Sequence, residues 1–543
     1  MKIKKLLLGD EAIALGAINA GLSGAYGYPG TPSTEIMEYI QANRVASDRN
    51  IHRHWSANEK TAYEEALGMS YAGKRSIVTM KHVGLNASAD AFVNSGMTGA
   101  NGGMLVIVAD DPSMHSSQNE QDSRFYGDFA FIPVLEPSDQ QEAYDMAGYG
   151  FNLSEKFGIP VIIRMVTRLS HSRATVDVEE KPMAQNSIHF PEDGRQWVLM
   201  PANSRRRYVS LLEDYDRLQS QSETSPYNKY IEGNDHSTGI VANGIAFNYL
   251  EELFPQGCPF PVVKISQYPL PGKMLSRLAE ECDSVLVVEE GQPFIEKALR
   301  GLLDNGKKIY GKLDGTMART GELNPDKVKE GLLRLHPELE SLKVEVREPG
   351  KTIVGRPPSL CKGCGHRDVY QALNVALAGY DNARVFGDIG CYTLGYLSPF
   401  NALHTVLDMG ASITMAKGAS EAGVHPAVAV IGDSTFTHSG MAGLLDAVNE
   451  DSNILVIISD NLTTGMTGGQ DSQGTGKIEE ICLGLGVAPQ HLHVIDSLPK
   501  NHGAMVALFK DAIDHKGLSV VVSRRECIQT ARRHGAHRGP KTI

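Results

Sequence analysis

Short apolar runs rich in Val, Ile and Ala recur along the chain and end in small or acidic residues. The clearest are Ala427-Val-Ala-Val-Ile-Gly-Asp-Ser434 and Ile454-Leu-Val-Ile-Ile-Ser-Asp-Asn461. A run that is apolar throughout, without alternation, predicts a strand buried on both faces, as in a parallel sheet. The stretch between them leaves room for one crossover helix, which Gly440 to Asn449 would supply. Ser76-Ile-Val-Thr-Met80, Gly103-Met-Leu-Val-Ile-Val-Ala109 and Pro160-Val-Ile-Ile-Arg-Met-Val166 predict further strands, and Thr61 to Tyr71 predicts a helix. The fold class expected is therefore α/β, with loops gathered at strand ends.

Breaks in this pattern suggest domains. The first α/β segment spans residues 1–195. Residues 196–235, with Ser204-Arg-Arg-Arg207 and the polar run Gln219 to Lys229, read as a solvated helix plus linker. A middle α/β domain over 236–350 begins near Gly239 and includes Ser284-Val-Leu-Val-Val-Glu-Glu290. Pro349, Gly350 and Pro357-Pro358 mark a boundary before a last domain, 351–543. A chain of 543 residues is too long for one core.

Composition narrows the function classes. Fifty-two basic against 64 acidic residues give a formal charge of −12, which argues against a nucleic-acid platform and for small ligands. Asp10 and Glu11 stop the first apolar run too early for a signal peptide, and no run is long enough to span a bilayer, so a cytoplasmic protein is expected. Seven cysteines do not suggest a disulfide framework.

Several residues could carry chemistry. Asp433 and Asn461 stand at two strand tips and could hold a hard cation such as magnesium; the alternative is an ordinary βαβ unit with polar ends. The turn Gly30-Thr-Pro-Ser-Thr-Glu35 could cap a helix or touch an anion. Glu59 is either a functional carboxylate or a first-turn acid favoured by the helix dipole. His82 and His115 follow strands, where active-site loops gather, yet each could be structural. Cys361 and Cys364 form a C-x-x-C turn, and Cys391 and Cys527 could add two thiolates to make an iron–sulfur ligand set; a half zinc site, a redox pair or nothing are the alternatives for the C-x-x-C turn alone.

Taken together, Tyr28-Pro-Gly-Thr-Pro-Ser-Thr-Glu35, Asn58-Glu-Lys60, Met80-Lys-His-Val-Gly-Leu-Asn86 and Asp111-Pro-Ser-Met-His-Ser-Ser-Gln-Asn-Glu-Gln-Asp122 resemble the large (α) subunits of indolepyruvate:ferredoxin oxidoreductases. So do Gly311-Lys-Leu-Asp-Gly315, Gly321-Glu-Leu-Asn-Pro325, Gly387-Asp-Ile-Gly-Cys-Tyr-Thr-Leu-Gly395 and Gly432-Asp-Ser434. These motifs run in order over nearly the whole chain.

The resemblance implies a thiamine-diphosphate-dependent 2-oxoacid oxidoreductase, with an aminopyrimidine-binding domain at 1–195, a transketolase-C-terminal-like middle domain and a diphosphate-binding domain at 351–543. It implies that Gly432, Asp433 and Ser434 belong to the diphosphate motif, and that Asp433, Asn461 and the Thr463 carbonyl are magnesium ligands. By the same resemblance Glu59 hydrogen-bonds the aminopyrimidine, Thr31 contacts the substrate carboxylate, and Cys361, Cys364, Cys391 and Cys527 hold a [4Fe–4S] cluster. The implied reaction converts an aryl 2-oxoacid, of the indolepyruvate or phenylpyruvate type, and coenzyme A to an acyl-CoA. A small β subunit, in an α2β2 complex, and ferredoxin or another electron acceptor would be the partners.

Large subunits of the family usually continue into a ferredoxin-like module with two cysteine-rich motifs, and no such motif follows Cys527 in this sequence. Electrons are therefore expected to leave through the four-cysteine cluster, a partner subunit or a separate protein. Two competing readings are a non-oxidative thiamine-diphosphate decarboxylase, which the cysteines oppose, and a non-catalytic scaffold, which Glu59 together with Asp433 and Asn461 opposes.

Overall fold

The computed structural model describes residues 2–192, 194–301, 306–341 and 358–537. The expected boundary at Pro349, Gly350 and Pro357, and the last residues of the basic tail, lie outside the described residues. The chain forms two compact units, Met1–Glu348 and Pro349–Ile543. Both are α/β, built on mainly parallel sheets.

In the second unit six parallel strands lie in the order Thr405–Val406, Arg384–Gly387, Ala427–Gly432, Leu455–Asp460, Ser519–Arg524, Leu492–Asp496. Side chains on a strand alternate between faces, so a strand with helices on both sides must be apolar at every position. Val428, Val430, Leu455 and Ile457 point to one core, beneath helices Gly365–Leu377 and His502–Asp514 through Val369, Leu373, Met505 and Phe509. Ala427, Ala429, Ile431, Val456 and Ile458 point to the other, beneath Ala411–Glu421 and Met441–Asn449 through Ile413, Ala416, Leu444 and Ala447. The unbroken apolar runs in the sequence are the signature of this two-sided burial.

The crossover after Gly432 turns helical sooner than the sequence pattern predicts. Asp433–Thr435 is already one helical turn, Phe436–Gly440 is a π-helical turn, and Met441–Asn449 completes the crossover. Helical π-turns cluster at functional sites, and this one begins three residues beyond Asp433.

The first unit holds a seven-stranded sheet in the order Gln267–Tyr268, Val134–Leu135, Val161–Val166, Met104–Asp110, Ser76–Lys81, Gly24–Gly27, His52–Trp55. All of its strands are parallel to their neighbours except Gln267–Tyr268, which runs antiparallel to Val134–Leu135. A five-stranded sheet, Lys308–Tyr310, Ser284–Val288, Gly239–Asn243, Val262–Ile265 and Lys229–Ile231, lies in the same unit, and one hydrophobic core reaches from Leu7 to Leu332. A third, two-stranded sheet pairs Lys2–Leu8 antiparallel with Arg173–Glu179.

Buried ion pairs also join these elements. Arg124 Nη1 lies 3.0 Å from Glu289 Oε2 and its Nη2 donates to the Gln292 carbonyl at 2.8 Å. Arg164 Nε lies 2.6 Å from Asp110 Oδ2, and its Nη1 pairs with Glu136. Helix Pro201–Ser222 buries only Leu211, Leu218 and Ser222 and leaves Tyr208, Val209 and Leu212 exposed among its charged residues. Among the described residues no helix is long and apolar enough to cross a membrane.

Candidate active site

Parallel strands deliver side chains at their carboxyl ends, so the site is sought there. In the first unit, Gly24–Gly27 runs into a turn before helix Thr34–Ala42. The Gly30 N–H donates to Thr34 Oγ1 at 3.0 Å, and Ser33 Oγ donates to the Gly30 carbonyl at 2.7 Å, which fixes the turn locally. Thr31 is half-buried at its tip, and its carbonyl accepts from Ser116 Oγ at 3.2 Å.

Glu59 opens helix Glu59–Tyr71, which the Asn58 side chain caps by accepting from the Thr61 N–H at 2.8 Å. A first-turn acid normally points to water; Glu59 is buried. Its carboxyl group lies against Gly84, where an added Cβ would stand 2.6 Å from Glu59 Cγ. Lys81, at the end of Ser76–Lys81, is half-buried and donates to the Ser116 carbonyl at 3.0 Å. Burial lowers its pKa, and the Asp111 and Glu59 carboxylates oppose that shift. Burial works to raise the Asp111 carboxyl, but hydrogen bonds from Thr167, Ser117 and Ser116 outweigh it and hold the group low. His82 is buried, with neither ring nitrogen hydrogen-bonded, and burial brings its pKa down to about 4. His115 stands apart from this group, its Nε2 3.5 Å from Glu322 Oε2.

In the second unit, Asp433 and Asn461 sit just past the neighbouring strands Ala427–Gly432 and Leu455–Asp460. Gly432 is required because a Cβ there would lie 2.8 Å from Tyr392 Cε1. The Tyr392 hydroxyl donates to Asp388, whose Oδ2 accepts the Gly410 and Ser412 N–H groups, each at 3.1 Å. Burial raises the Asp388 carboxyl to about 6. Burial, with the charge of Asp460 behind it, raises the Asp433 carboxyl further, to about 7.

One Asp433 oxygen, Oδ2, is buried without a hydrogen bond. Leu462 adopts a left-handed φ of 62°, which turns the chain so that the Thr463 N–H donates to Asn461 Oδ1 at 3.2 Å. Thr463 Oγ1 and the Thr464 N–H both donate to the Gln470 carbonyl, at 2.8 and 2.9 Å, closing the loop. Ser434 and Thr464 share a hydroxyl hydrogen bond of 2.8 Å. A carboxylate oxygen without a partner beside an amide oxygen is a donor set suited to a hard cation.

Cys361, Cys364, Cys391 and Cys527 line one cavity of about 80 Å³ in this unit, together with Asp460, Asn461 and Gly465. They come from separate places: the turn before helix Gly365–Leu377, the 3-10 turn Cys391–Tyr396, and the segment after Ser519–Arg524. A Cβ on Gly465 would stand 3.3 Å from Cys391 Sγ and 3.9 Å from Cys527 Sγ. Burial, then the other three thiols, pushes Cys391 up to about 12. The Cys527 N–H donates to the Asn461 carbonyl at 3.0 Å, so the cavity and the Asp433–Asn461 tip share a residue. Cys258, Cys282 and Cys482 do not line this cavity.

Residues 15–219 match the family model described as pyruvate flavodoxin/ferredoxin oxidoreductase, thiamine diP-binding. Residues 388–523 match the C-terminal TPP-binding domain of thiamine pyrophosphate enzymes. The indolepyruvate oxidoreductase subunit IorA of Archaeoglobus fulgidus is 38% identical, over 96% of this chain and 86% of that protein. The IorA of Methanothermobacter thermautotrophicus is 37% identical over 99% of this chain and 88% of that protein. The chain belongs to the IorA family. A solved 2-oxoglutarate:ferredoxin oxidoreductase from Magnetococcus marinus aligns at 19% identity and TM-score 0.48, over 62% of this chain and 65% of that chain.

Membership of the IorA family makes this a thiamine-diphosphate-dependent 2-oxoacid oxidoreductase subunit. Sequence reading assigned no role to Asp388, Tyr392, Lys81 or Asp111, although all four lie in motifs that the IorA resemblance rests on. The signal available was Gly432: a glycine closing an apolar strand implies a bulky neighbour, here Tyr392.

Proposed function

We propose that this chain catalyses the oxidative decarboxylation of an aryl 2-oxoacid, of the indolepyruvate or phenylpyruvate type, with coenzyme A. The products are the acyl-CoA, carbon dioxide, a proton and two electrons; Cys361, Cys364, Cys391 and Cys527 would hold a [4Fe–4S] cluster able to pass those electrons one at a time to ferredoxin or another acceptor. A small β subunit completes an α2β2 complex. The observation that carries this reading is the partnerless buried oxygen of Asp433, one strand tip from Asn461, whose carbonyl is tied to Cys527 beside a four-cysteine cavity. The name of the relatives supports the aryl substrate.

Asp433 Oδ2, the Asn461 side chain and the Thr463 carbonyl would hold magnesium, and through it the diphosphate, with Gly432 and Ser434 lining the turn. Thiamine diphosphate, when bound, supplies a carbon nucleophile and a sink for the electron pair released with carbon dioxide. Glu59 would hold a proton at the aminopyrimidine ring; its burial against Gly84 keeps water from competing for that bond. Thr31 would orient the substrate carboxylate. Magnesium held there would anchor the diphosphate and take no part in the substrate's chemistry.

The test is activity of the co-purified complex with a panel of 2-oxoacids, with and without coenzyme A and an electron acceptor. Acyl-CoA formation that needs both additions, fastest with aryl substrates, is expected. Aldehyde release without either addition would replace this reading with non-oxidative decarboxylation, and failure of the complex to bind thiamine diphosphate would make the chain a scaffold.

A further inference from the structure

Asp10, Glu35 and His171 lie far apart in sequence and meet in the first unit. One ligand atom from each falls within 4.8 Å of the other two. Asp10 is in the first turn of helix Gly9–Asn19, Glu35 in the first turn of helix Thr34–Ala42, and His171 ends helix Thr167–His171. Their approach is fixed by backbone packing: a Cβ on Gly9 would stand 2.2 Å from the Leu169 carbonyl oxygen, so only glycine lets Asp10 come this close to the 167–171 helix.

The state of Asp10 points to a ligand. It is completely buried, and neither carboxylate oxygen has a hydrogen bond. Ser170, equally buried, is beside it. Glu35 Oε2 is likewise buried without a hydrogen bond, and His171 Nε2 stands 3.6 Å from it. Among the described residues no lysine or arginine comes within 4.0 Å of either carboxylate. A fully buried carboxylate beside a half-exposed one needs a proton or a positive charge to offset its desolvation and their mutual repulsion.

We propose that Asp10, Glu35 and His171 bind a first-row divalent cation. One imidazole and two carboxylates suit manganese, iron or zinc better than calcium or magnesium, which favour all-oxygen shells. Asp10 is the interior ligand, and the half-exposed Glu35 and His171 leave the side through which the ion enters. Helix Thr34–Ala42 begins at the turn that carries Thr31, so the ion would pin that turn to helices Gly9–Asn19 and Thr167–His171. This site is separate from the magnesium assigned to Asp433 and does not rest on the proposed reaction.

The probe is Mn2+ added to the full chain without thiamine diphosphate. Binding is followed by loss of the free-ion electron paramagnetic resonance signal, and ligation by nitrogen-14 modulation of the electron spin echo. Wild type is expected to hold an ion with imidazole modulation, His171→Gln to lose that modulation, and Asp10→Asn to bind about tenfold or more weakly. Absence of modulation in wild type, or equal affinity in wild type and both variants, overturns the site. If Asp10→Asn does not fold, as judged by circular dichroism, the His171→Gln comparison decides alone.

Discussion

Glu59 and Gly84 are matched: the carboxyl group of one fills the space in which the other would carry a Cβ, only 2.6 Å from Glu59 Cγ. Gly84→Ala should therefore displace the carboxylate and lower turnover nearly as much as Glu59→Gln. Both should bind thiamine diphosphate with nearly normal affinity. A loss of roughly 10²-fold or more is expected if Glu59 governs proton transfer. Turnover near wild type in Glu59→Gln would reduce it to a buried first-turn acid.

Asp433→Ala removes the oxygen that has no hydrogen bond among protein groups. Titration with thiamine diphosphate at several magnesium concentrations should show affinity falling at least ~10-fold, a size typical of damage to a metal shell. An unchanged dissociation constant would remove Asp433 from the ligand set.

Iron should follow the four thiols. Protein purified anaerobically is expected to be brown, with iron and sulfide in near-equal amounts and a broad visible absorbance that bleaches on reduction. Cys391→Ser, a position close to Gly465 in the cavity wall, should lose most of that iron. A colourless, iron-free protein that still oxidises substrate would end the cluster assignment.

Arg164 is fully buried among Asp110, Asp122 and Glu136. Arg164→Met leaves those acids without their cation, and breaking a buried pair in this way costs about 3–5 kcal/mol. Denaturant unfolding should show that loss in the first unit. A change below ~1 kcal/mol would mean that Arg124, 2.5 Å from Asp122, carries the charge balance by itself.

His82 gives a pH dependence with a definite sign. Its folded pKa, about 4, lies below the ordinary value of 6.5, so between those values the unfolded chain binds the extra proton. Stability is thus highest above pH 6.5 and falls as the pH drops toward 4, by about 3 kcal/mol at most from this one group. His82→Leu has nothing to protonate there. Unfolding of the cofactor-free protein should be flatter across this window in the variant; parallel profiles would mean that other groups set the slope.

Much of the second unit was legible because its physics is local. Ala427 to Gly432 and Leu455 to Asp460 are apolar on both faces, and only a strand covered on both sides has that composition. The early helical start at Asp433 was not, since Thr435 and Thr437 are poor helix formers and packing overrides their preference. In the first unit, Gln267–Tyr268 is too short to leave a pattern, yet it extends a sheet whose other strands end by residue 166. Arg124 and Glu289 look like ordinary surface charges in the sequence; only the long-range fold buries them together. Arg164, a charge within an apolar run, was the visible hint of that network. The cysteine cavity was legible as motifs but not as geometry, because its walls come from loops more than a hundred residues apart, from Cys361 to Cys527.

The pairing of Lys2–Leu8 with Arg173–Glu179 sets an order on synthesis. Lys2–Leu8 leaves the ribosome long before its partner and waits for residue 179, with Leu7 and the buried side of helix Gly9–Asn19 still uncovered. Closing so long a loop is slow. Through that interval Lys2–Leu8 and the helix after it stay open to proteases and to binding by chaperones.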